Sequence, residues 1–398
     1  MSQRLSLNSP QDVSSFQTSV QTHKQLLASE LQSQGIRMVD EAASSASRRG
    51  GAGPSDHKAI TLLGTTIMVP IHTRPAHQSI FTADPPDTSG KSMLYRNGVP
   101  EAPLQFPPQP KFYGLSTADG IPYWKIGQLH SHNVLATTVL QTCIRYGNSD
   151  TKCQFCALGE SLRAGRTISK KSPAQLAEVA EAAMRLDGVE QVVLTTGTPP
   201  TEDRGAAVLV EVAQAIKERT GLAIQAQCEP PADFVWFERL KVVGVDSLGM
   251  HLEAWSEHVR ARIMPGKAQV PVSFYLKAFE AAVAVFGRGQ VSTYLLAGLG
   301  DTVEELLEGS WQLIARGVYP FVVPFVPISG TPLQNQTPPT AEFMRAVLEP
   351  LGNMLRTAGM TSDTVKAGCA KCGACSSLST FEKGNRDALA TTSPCAVG

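Results

Sequence analysis

From residue 133 onward, short apolar blocks alternate with stretches in which apolar residues recur every three to four positions. The blocks are 133–142 (NVLATTVLQT), 189–196, 223–228, 242–252, 290–299 and 319–326. They are rich in β-branched residues and bounded by turn residues, so they predict buried strands. The stretches between them predict helices at 172–186, 205–219, 232–240, 271–286 and 302–316. The first of these begins with Ser172 as its cap and Pro173 at its first position, and Gly188 closes it. In the last, Thr302 and Glu305 form a capping box and Gly317 stops the helix. Strands alternating with helices of this length predict βαβ units and a parallel sheet. Six strands are visible, where a closed barrel would need eight. Either two strands are hidden or the barrel is an open one of six; the fold class expected is α/β, a partial (β/α)6 TIM-like barrel with an N-terminal extension and a C-terminal cysteine-containing tail. In such folds the functional loops follow the C-terminal ends of the strands.

Before residue 133 the pattern is less regular. Residues 14–33 predict a helix, and 42–55 (AASSASRRGGAGPS) read as a flexible linker. Residues 59–72 look like strand material, and the proline-rich 82–122 is expected to be mostly loop with short extended pieces. The division expected is 1–57 as flexible segment and linker, 58–125 as a pre-barrel region, 126–335 as the barrel and 336–398 as a C-terminal helix and cysteine motif.

Thirty-five basic and 35 acidic residues leave no formal net charge, which argues against a nucleic-acid partner held mainly by charge. No apolar run reaches 18 residues, so no spanning helix and no membrane partner are expected. The first residues (MSQRLSLNSPQD) lack the apolar core of a secretory signal, and a cytoplasmic location is expected. Six of the eight cysteines fall into two tight groups, which in that compartment points to metal and not to disulfides.

The first group is Cys143, Cys153 and Cys156, spaced C-x9-C-x2-C. Three thiolates are too few for a four-iron cluster, which takes four ligands, and they leave one iron open to bind and activate a small molecule. The plainer alternative is structural zinc. Zinc sites collect four Cys/His ligands from paired motifs, whereas each group here offers three cysteines with no histidine at matching spacing. Cys143 follows a predicted strand directly, which favours a catalytic cluster. The end Cys153-Gln154-Phe155-Cys156, with its aromatic residue before the last cysteine, resembles the radical S-adenosylmethionine (SAM) superfamily. The usual spacing there is C-x3-C-x2-C, from which this loop departs.

The later strand ends carry the same resemblance, with biotin synthase and lipoyl synthase as the most similar types. Thr195-Thr196-Gly197-Thr198 ends the second strand, where the superfamily binds the SAM amino group through backbone atoms. His251-Leu252-Glu253 ends the fourth and resembles a His-Asn-x-Glu motif whose carboxylate holds the ribose hydroxyls; a carboxylate can accept from both hydroxyls of a diol. Arg260 or Arg262, with Arg262 preferred, matches an arginine that pairs with the methionyl carboxylate, a task that suits a bidentate guanidinium. Gly298 and Gly300 in Ala297-Gly-Leu-Gly-Asp301 let backbone approach the adenine, and Phe155 is a further cofactor contact. Residues 324–333 (PFVPISGTPL) resemble a biotin-synthase-type Gly-Thr-Pro-Leu segment. A finer resemblance, carried by Leu135–Val139, Cys143–Tyr146, Leu194–Thr198 and the C-terminal cysteines, is to one bacterial radical SAM family encoded beside a nitrilase and an acetyltransferase, in which the long first cysteine gap is a family mark.

The second group is Cys369, Cys372 and Cys375, at C-x2-C-x2-C. This matches the opening of a bacterial ferredoxin run, with Ser379 at the position of the fourth cysteine. It implies a second [4Fe-4S] cluster, or zinc completed by Cys395 or a histidine, and the segment is expected to fold back to the barrel mouth. Cys228 reads as a buried strand residue. The function implied is an enzyme in which a [4Fe-4S] cluster cleaves SAM to a 5′-deoxyadenosyl radical that takes hydrogen from a small-molecule substrate in a biosynthetic pathway. Its electron donor would be a flavodoxin or ferredoxin. The alternatives are sulfur insertion fed by the second cluster, and a non-catalytic iron–sulfur or zinc protein of electron transfer.

Overall fold

The structure, a computed structural model, describes residues 10–39 and 56–383 of the chain. The linker at 42–55 and Cys395 lie outside the described residues. The predicted strands appear as β8 (Val134–Thr138), β9 (Gln191–Thr195), β10 (Ala223–Gln227), β11 (Ser247–Gly249), β12 (Val291–Ala297) and β13 (Val318–Pro324). They pair in parallel in chain order, and β7 (Gln128–His130) adds an antiparallel edge beside β8. Among the described residues no strand joins β13 back to β7 or β8, so the sheet is an open (β/α)6 partial barrel. Its helices bury one apolar face against the strands, with Leu176, Val212, Phe279, Leu313 and Leu351 fully buried in one continuous core.

The predicted caps form. Ser172 and Gln175 exchange capping bonds at the start of the helix Pro173–Asp187, and Thr302 and Glu305 do so for Val303–Ala315. The fourth strand is shorter than the apolar run 242–252 implies. The preceding helix continues to Val242, and Gly244 turns the chain at φ 92° before β11 begins. Beyond β11, Glu253 takes a left-handed φ of 70° and rejoins β12 as a single parallel bridge opposite Leu295.

The region expected as proline-rich loop is instead part of a six-stranded sheet. Its members are β1 (Arg37–Met38), β2 (His57–Leu62), β3 (Thr65–Pro70), β4 (Phe81–Ala83), β5 (Lys91–Arg96) and β6 (Val99–Gln105), in the order β1-β4-β5-β6-β2-β3. Pro100 and Pro103 are accommodated because β2 pairs with β6 only at Leu104 and Gln105, which leaves the proline end of β6 as a free edge where no amide is required. The helix Pro10–Gln34 packs on this sheet through Leu27 and Leu31.

The C-terminal segment turns back and enters the barrel from its amino-terminal mouth. Ser247, the first residue of β11, donates to the Ala367 carbonyl at 2.7 Å. Gln191, the first of β9, accepts from the Gly368 amide at 2.6 Å. Ser376 donates to the Val322 carbonyl at 2.7 Å, and Ala374 accepts from Met68 of the N-terminal sheet at 2.8 Å.

Candidate functional site

The loop carrying Cys143, Cys153 and Cys156 follows β8 at the C-terminal end of the sheet and is tied to the loops after three other strands. Ile144 donates to the Thr198 carbonyl at 2.9 Å, and Gln154 donates to the Ile263 carbonyl at 2.9 Å. Leu333 donates to the Gln154 carbonyl at 3.4 Å. Gly197 is required here, since a Cβ would collide with the Thr142 carbonyl. The predicted segment 195–198 is thus part of the clamp on the cysteine loop.

Charged groups converge beneath this loop. Arg145 grips Glu229 with two bonds, at 3.0 and 2.7 Å, and also donates to the Gly266 carbonyl. The Thr198 hydroxyl donates to the same carboxylate at 2.8 Å. Burial pushes the Glu229 carboxyl up, but Arg145, Lys267 and Thr198 together hold it below its usual range. Glu253 is pinned to β12 by its own amide, which donates to the Tyr294 carbonyl at 2.9 Å, and its side chain pairs with Lys267 at 3.2 Å. Burial works against the Lys267 charge, yet Glu253, Tyr275 and Glu229 raise its pKa above the usual lysine value.

Burial pushes the Cys153 thiol up to about 12 and the Cys156 thiol up to about 11. Cys143 and Glu253 add to the effect at Cys156, while Lys267 opposes it at Cys153. Without a metal these thiols hold their protons at neutral pH, and cluster assembly must displace them. Among the described residues no group of three or more His, Cys, Asp or Glu side chains stands at the spacing of a single metal ion. Thiolates of a four-iron cluster bind separate irons, so that spacing is not what such a cluster asks of them.

The remaining predicted residues divide. Phe155 packs with Cys153 against Ile263, Met264, Leu299 and Phe325. Thr195 faces the barrel interior, and its hydroxyl bonds to that of Thr138 at 2.9 Å, whereas the Thr196 hydroxyl turns to the Gly197 carbonyl. Gly298 and Gly300 both have positive φ, and a Cβ on Gly300 would strike the Arg262 guanidinium. Arg262 donates to the Leu299 carbonyl at 3.1 Å and stays exposed beside that loop. Arg260 is fully buried and gives its guanidinium to the carbonyls of Leu252 and Val270, over the Tyr275 ring. It is a clasp within the 252–270 loop.

Cys369, Cys372 and Cys375 sit inside the barrel. Gln227 donates to Cys369 Sγ at 3.2 Å, and His130 Nε2 lies 3.4 Å from Cys375 Sγ. The Tyr294 hydroxyl bonds to both Cys369 and Cys375. A cavity of about 380 Å³ is lined by Thr195, His251 and Glu253 on the side of the first cysteine loop and by Cys369 and Cys375 on the other. A second cavity of about 230 Å³ joins Phe155 to Cys375 and His130.

Sequence reasoning missed Arg145, Glu229, Lys267, His130, Gln227 and Tyr294 as members of this interior. One signal was present: Glu229 follows directly on the apolar strand 223–228, where a charge at a strand's C-terminal end is a functional mark. The others acquire their meaning only through partners distant in sequence.

Residues 146–308 match the sequence profile described as the Radical SAM superfamily. The match takes in Cys153, Cys156, the segment 195–197, Glu253, both arginines and both glycines, and it starts three residues after Cys143. A bacteriochlorophyllide c C-7(1)-hydroxylase from Chlorobaculum limnaeum is 28% identical over 231 residues, covering 52% of this chain and 56% of the relative. A lipoyl synthase from Thermus thermophilus is 30% identical over 200 residues, covering 48% and 57%. The chain thus spans little more than half the length of the curated relatives it matches. Among solved structures, a methylornithine synthase superposes with a TM-score of 0.43 at 18% identity, over 56% of this chain and 62% of that one. Among the described residues no helix is long and apolar enough to cross a membrane.

Proposed function

We propose that this chain, a member of the radical SAM superfamily, whose enzymes use a [4Fe-4S] cluster and SAM, binds both groups at the strand ends above its barrel cavity and acts on a small molecule held inside. The observation that carries the reading is that the half-buried Cys153 and Cys156 lie beside the Glu253–Lys267 pair, on loops after different strands, over a cavity that Glu253 lines. When bound, the reduced cluster supplies one electron that breaks a carbon–sulfur bond of SAM, giving methionine and a 5′-deoxyadenosyl radical that takes hydrogen from the substrate.

Each side chain has a task in this scheme. Cys143, Cys153 and Cys156 anchor three irons and leave the fourth open. Glu253, paired with Lys267, accepts the ribose hydroxyls. Arg262, which pairs with no carboxylate among the described residues, is the partner of the methionyl carboxylate. The backbone at Thr195–Gly197 meets the amino group, and Gly298, Gly300 and Phe155 border the adenine. Ala136, Val193 and Leu296 make the cavity wall mostly apolar, with Gln227 and His251 as polar points, so the substrate is a largely apolar molecule with one or two hydrogen-bonding groups. The hydroxylase and lipoyl synthase among the relatives fit a reaction that functionalises such a molecule. Cys369, Cys372 and Cys375 hold an auxiliary iron–sulfur centre on the opposite side of the cavity, and a flavodoxin or ferredoxin supplies the electron.

The test is anaerobic reconstitution with iron and sulfide, followed by measurement of 5′-deoxyadenosine formed from SAM and dithionite. The wild type should form it and the C143A/C153A/C156A variant should not. Equal rates in the two proteins would overturn the assignment.

A further inference from the structure

We propose that His130 is the fourth protein ligand of the tail centre, sharing one metal atom with Cys375, so that the site is a closed Cys3His set. The proposal rests on the reading of Cys369, Cys372 and Cys375 as an iron–sulfur site and goes beyond it by naming the missing ligand. The sequence left that ligand to Cys395 or an unspecified histidine, since Ser379 occupies the fourth position of the motif and no histidine lies within the segment.

Three observations converge. First, His130 ends β7, the antiparallel edge strand, and its Nε2 stands 3.4 Å from Cys375 Sγ. Tetrahedral coordination with metal–sulfur and metal–nitrogen bonds of about 2.3 and 2.0 Å puts two ligand atoms of one metal about 3.5 Å apart. The observed separation is that of a hydrogen bond between the two side chains, and it matches the spacing of two ligands on one metal. Ligands on different irons of a four-iron cube stand further apart. Secondly, the other ring nitrogen, Nδ1, is buried and has no hydrogen-bond partner among the described residues. Thirdly, His130 lines both cavities that border Cys375, which gives the metal its approach.

The surroundings suit a small cluster. Gln227 and the Tyr294 hydroxyl already donate toward Cys369 and Cys375, as donors do toward metal-bound sulfur. With His130 and Cys375 on one metal, Cys369 and Cys372 remain for a second, which is the ligand count of a two-iron cluster. Each thiol loses its proton on binding, while the imidazole binds as the neutral ring.

The experiment uses the full chain carrying C143A/C153A/C156A, so that only the tail centre can be loaded. It is reconstituted with iron and sulfide, reduced, and examined by pulsed electron paramagnetic resonance with unlabelled and 15N-histidine protein. About two irons per chain are expected, with a strong nitrogen hyperfine coupling that changes on 15N labelling. H130C, which replaces the nitrogen ligand by sulfur, should retain the iron and lose the coupling. H130A should lose the coupling and the iron. Iron retained without any histidine coupling in the parent protein would overturn the ligand assignment and leave the auxiliary centre standing. Zinc, or no metal, in the parent protein would overturn the auxiliary iron–sulfur reading and this proposal with it.

Discussion

At the residue scale, the pair Glu253–Lys267 has two separable roles. Glu253 sits in a left-handed conformation that disfavours a side chain, and Lys267 is buried against it. Replacing Glu253 by Gln would remove the charged acceptor proposed for the ribose hydroxyls. SAM binding should weaken by about 1.5–3 kcal/mol, roughly ten- to a hundredfold in Kd, measurable by equilibrium dialysis with the reconstituted protein. E253Q also leaves the Lys267 charge buried without its partner, so the thermal midpoint should fall. In E253Q/K267M the midpoint should recover while SAM binding stays weak. Recovery of both would show that Glu253 acts only through stability. Glu253 was legible in the sequence because the motif His251-Leu-Glu253 falls at a strand end. Lys267 was not, because its meaning comes from a loop that folds back onto Glu253 from 14 residues away. Arg260 illustrates the converse. Its type and position suited a SAM contact, but whether a guanidinium faces a cavity or clasps carbonyls depends on the loop's path, which periodicity does not encode.

At the element scale, the C-terminal segment behaves as a stopper fastened from two sides. Gln21 and Gln25 of the first helix donate to the Thr380 carbonyl at 2.9 and 3.0 Å, and Gln32 donates to the Ala374 carbonyl at 3.0 Å. On the barrel side, buried Glu382 accepts from the Tyr319 hydroxyl and from the Ser362 amide. Burial raises the Glu382 carboxyl above its usual range, and the bonds from Tyr319 and Ser362 only partly oppose that. The folded protein therefore holds this proton more tightly than the unfolded chain does. Its contribution to stability is full below the unfolded value of about 4.3 and is lost as pH rises through the folded value. Glu382→Gln should remove that slope, so the difference in thermal midpoint between variant and wild type should shift in the variant's favour from pH 4 to pH 8. An unchanging difference would show that Glu382 keeps its ordinary titration. The barrel helices and strands were legible because periodicity and caps agree over long segments. The N-terminal sheet was obscured by Pro100 and Pro103, which read as loop residues until β6 is seen to have a free edge there. The tail's return to the barrel was expected from its cysteines, but its entry from the amino-terminal side was not legible, because its bonds to Gln191, Ser247 and Val322 span 54 residues or more.

At the scale of the whole molecule, the two cysteine groups approach one cavity from opposite ends of the same strands. The first group is held by bonds to the loops at Thr198, Ile263 and Leu333, all at the C-terminal side of the sheet. The tail is held by Gln191, Ser247, the N-terminal sheet and the first helix, at the other side. The two sets of fastenings share no residue, so the centres should load independently. Iron lost in C143A/C153A/C156A and iron lost in C369A/C372A/C375A should add up to the full wild-type content. The tail variant should still release 5′-deoxyadenosine from SAM, since none of the residues placed around SAM is fastened through the tail. Total loss of iron in either variant would show that one centre assembles only on the other. The cavity between them would then be built by the metal sites and not, as the bonding implies, by the strands that carry both.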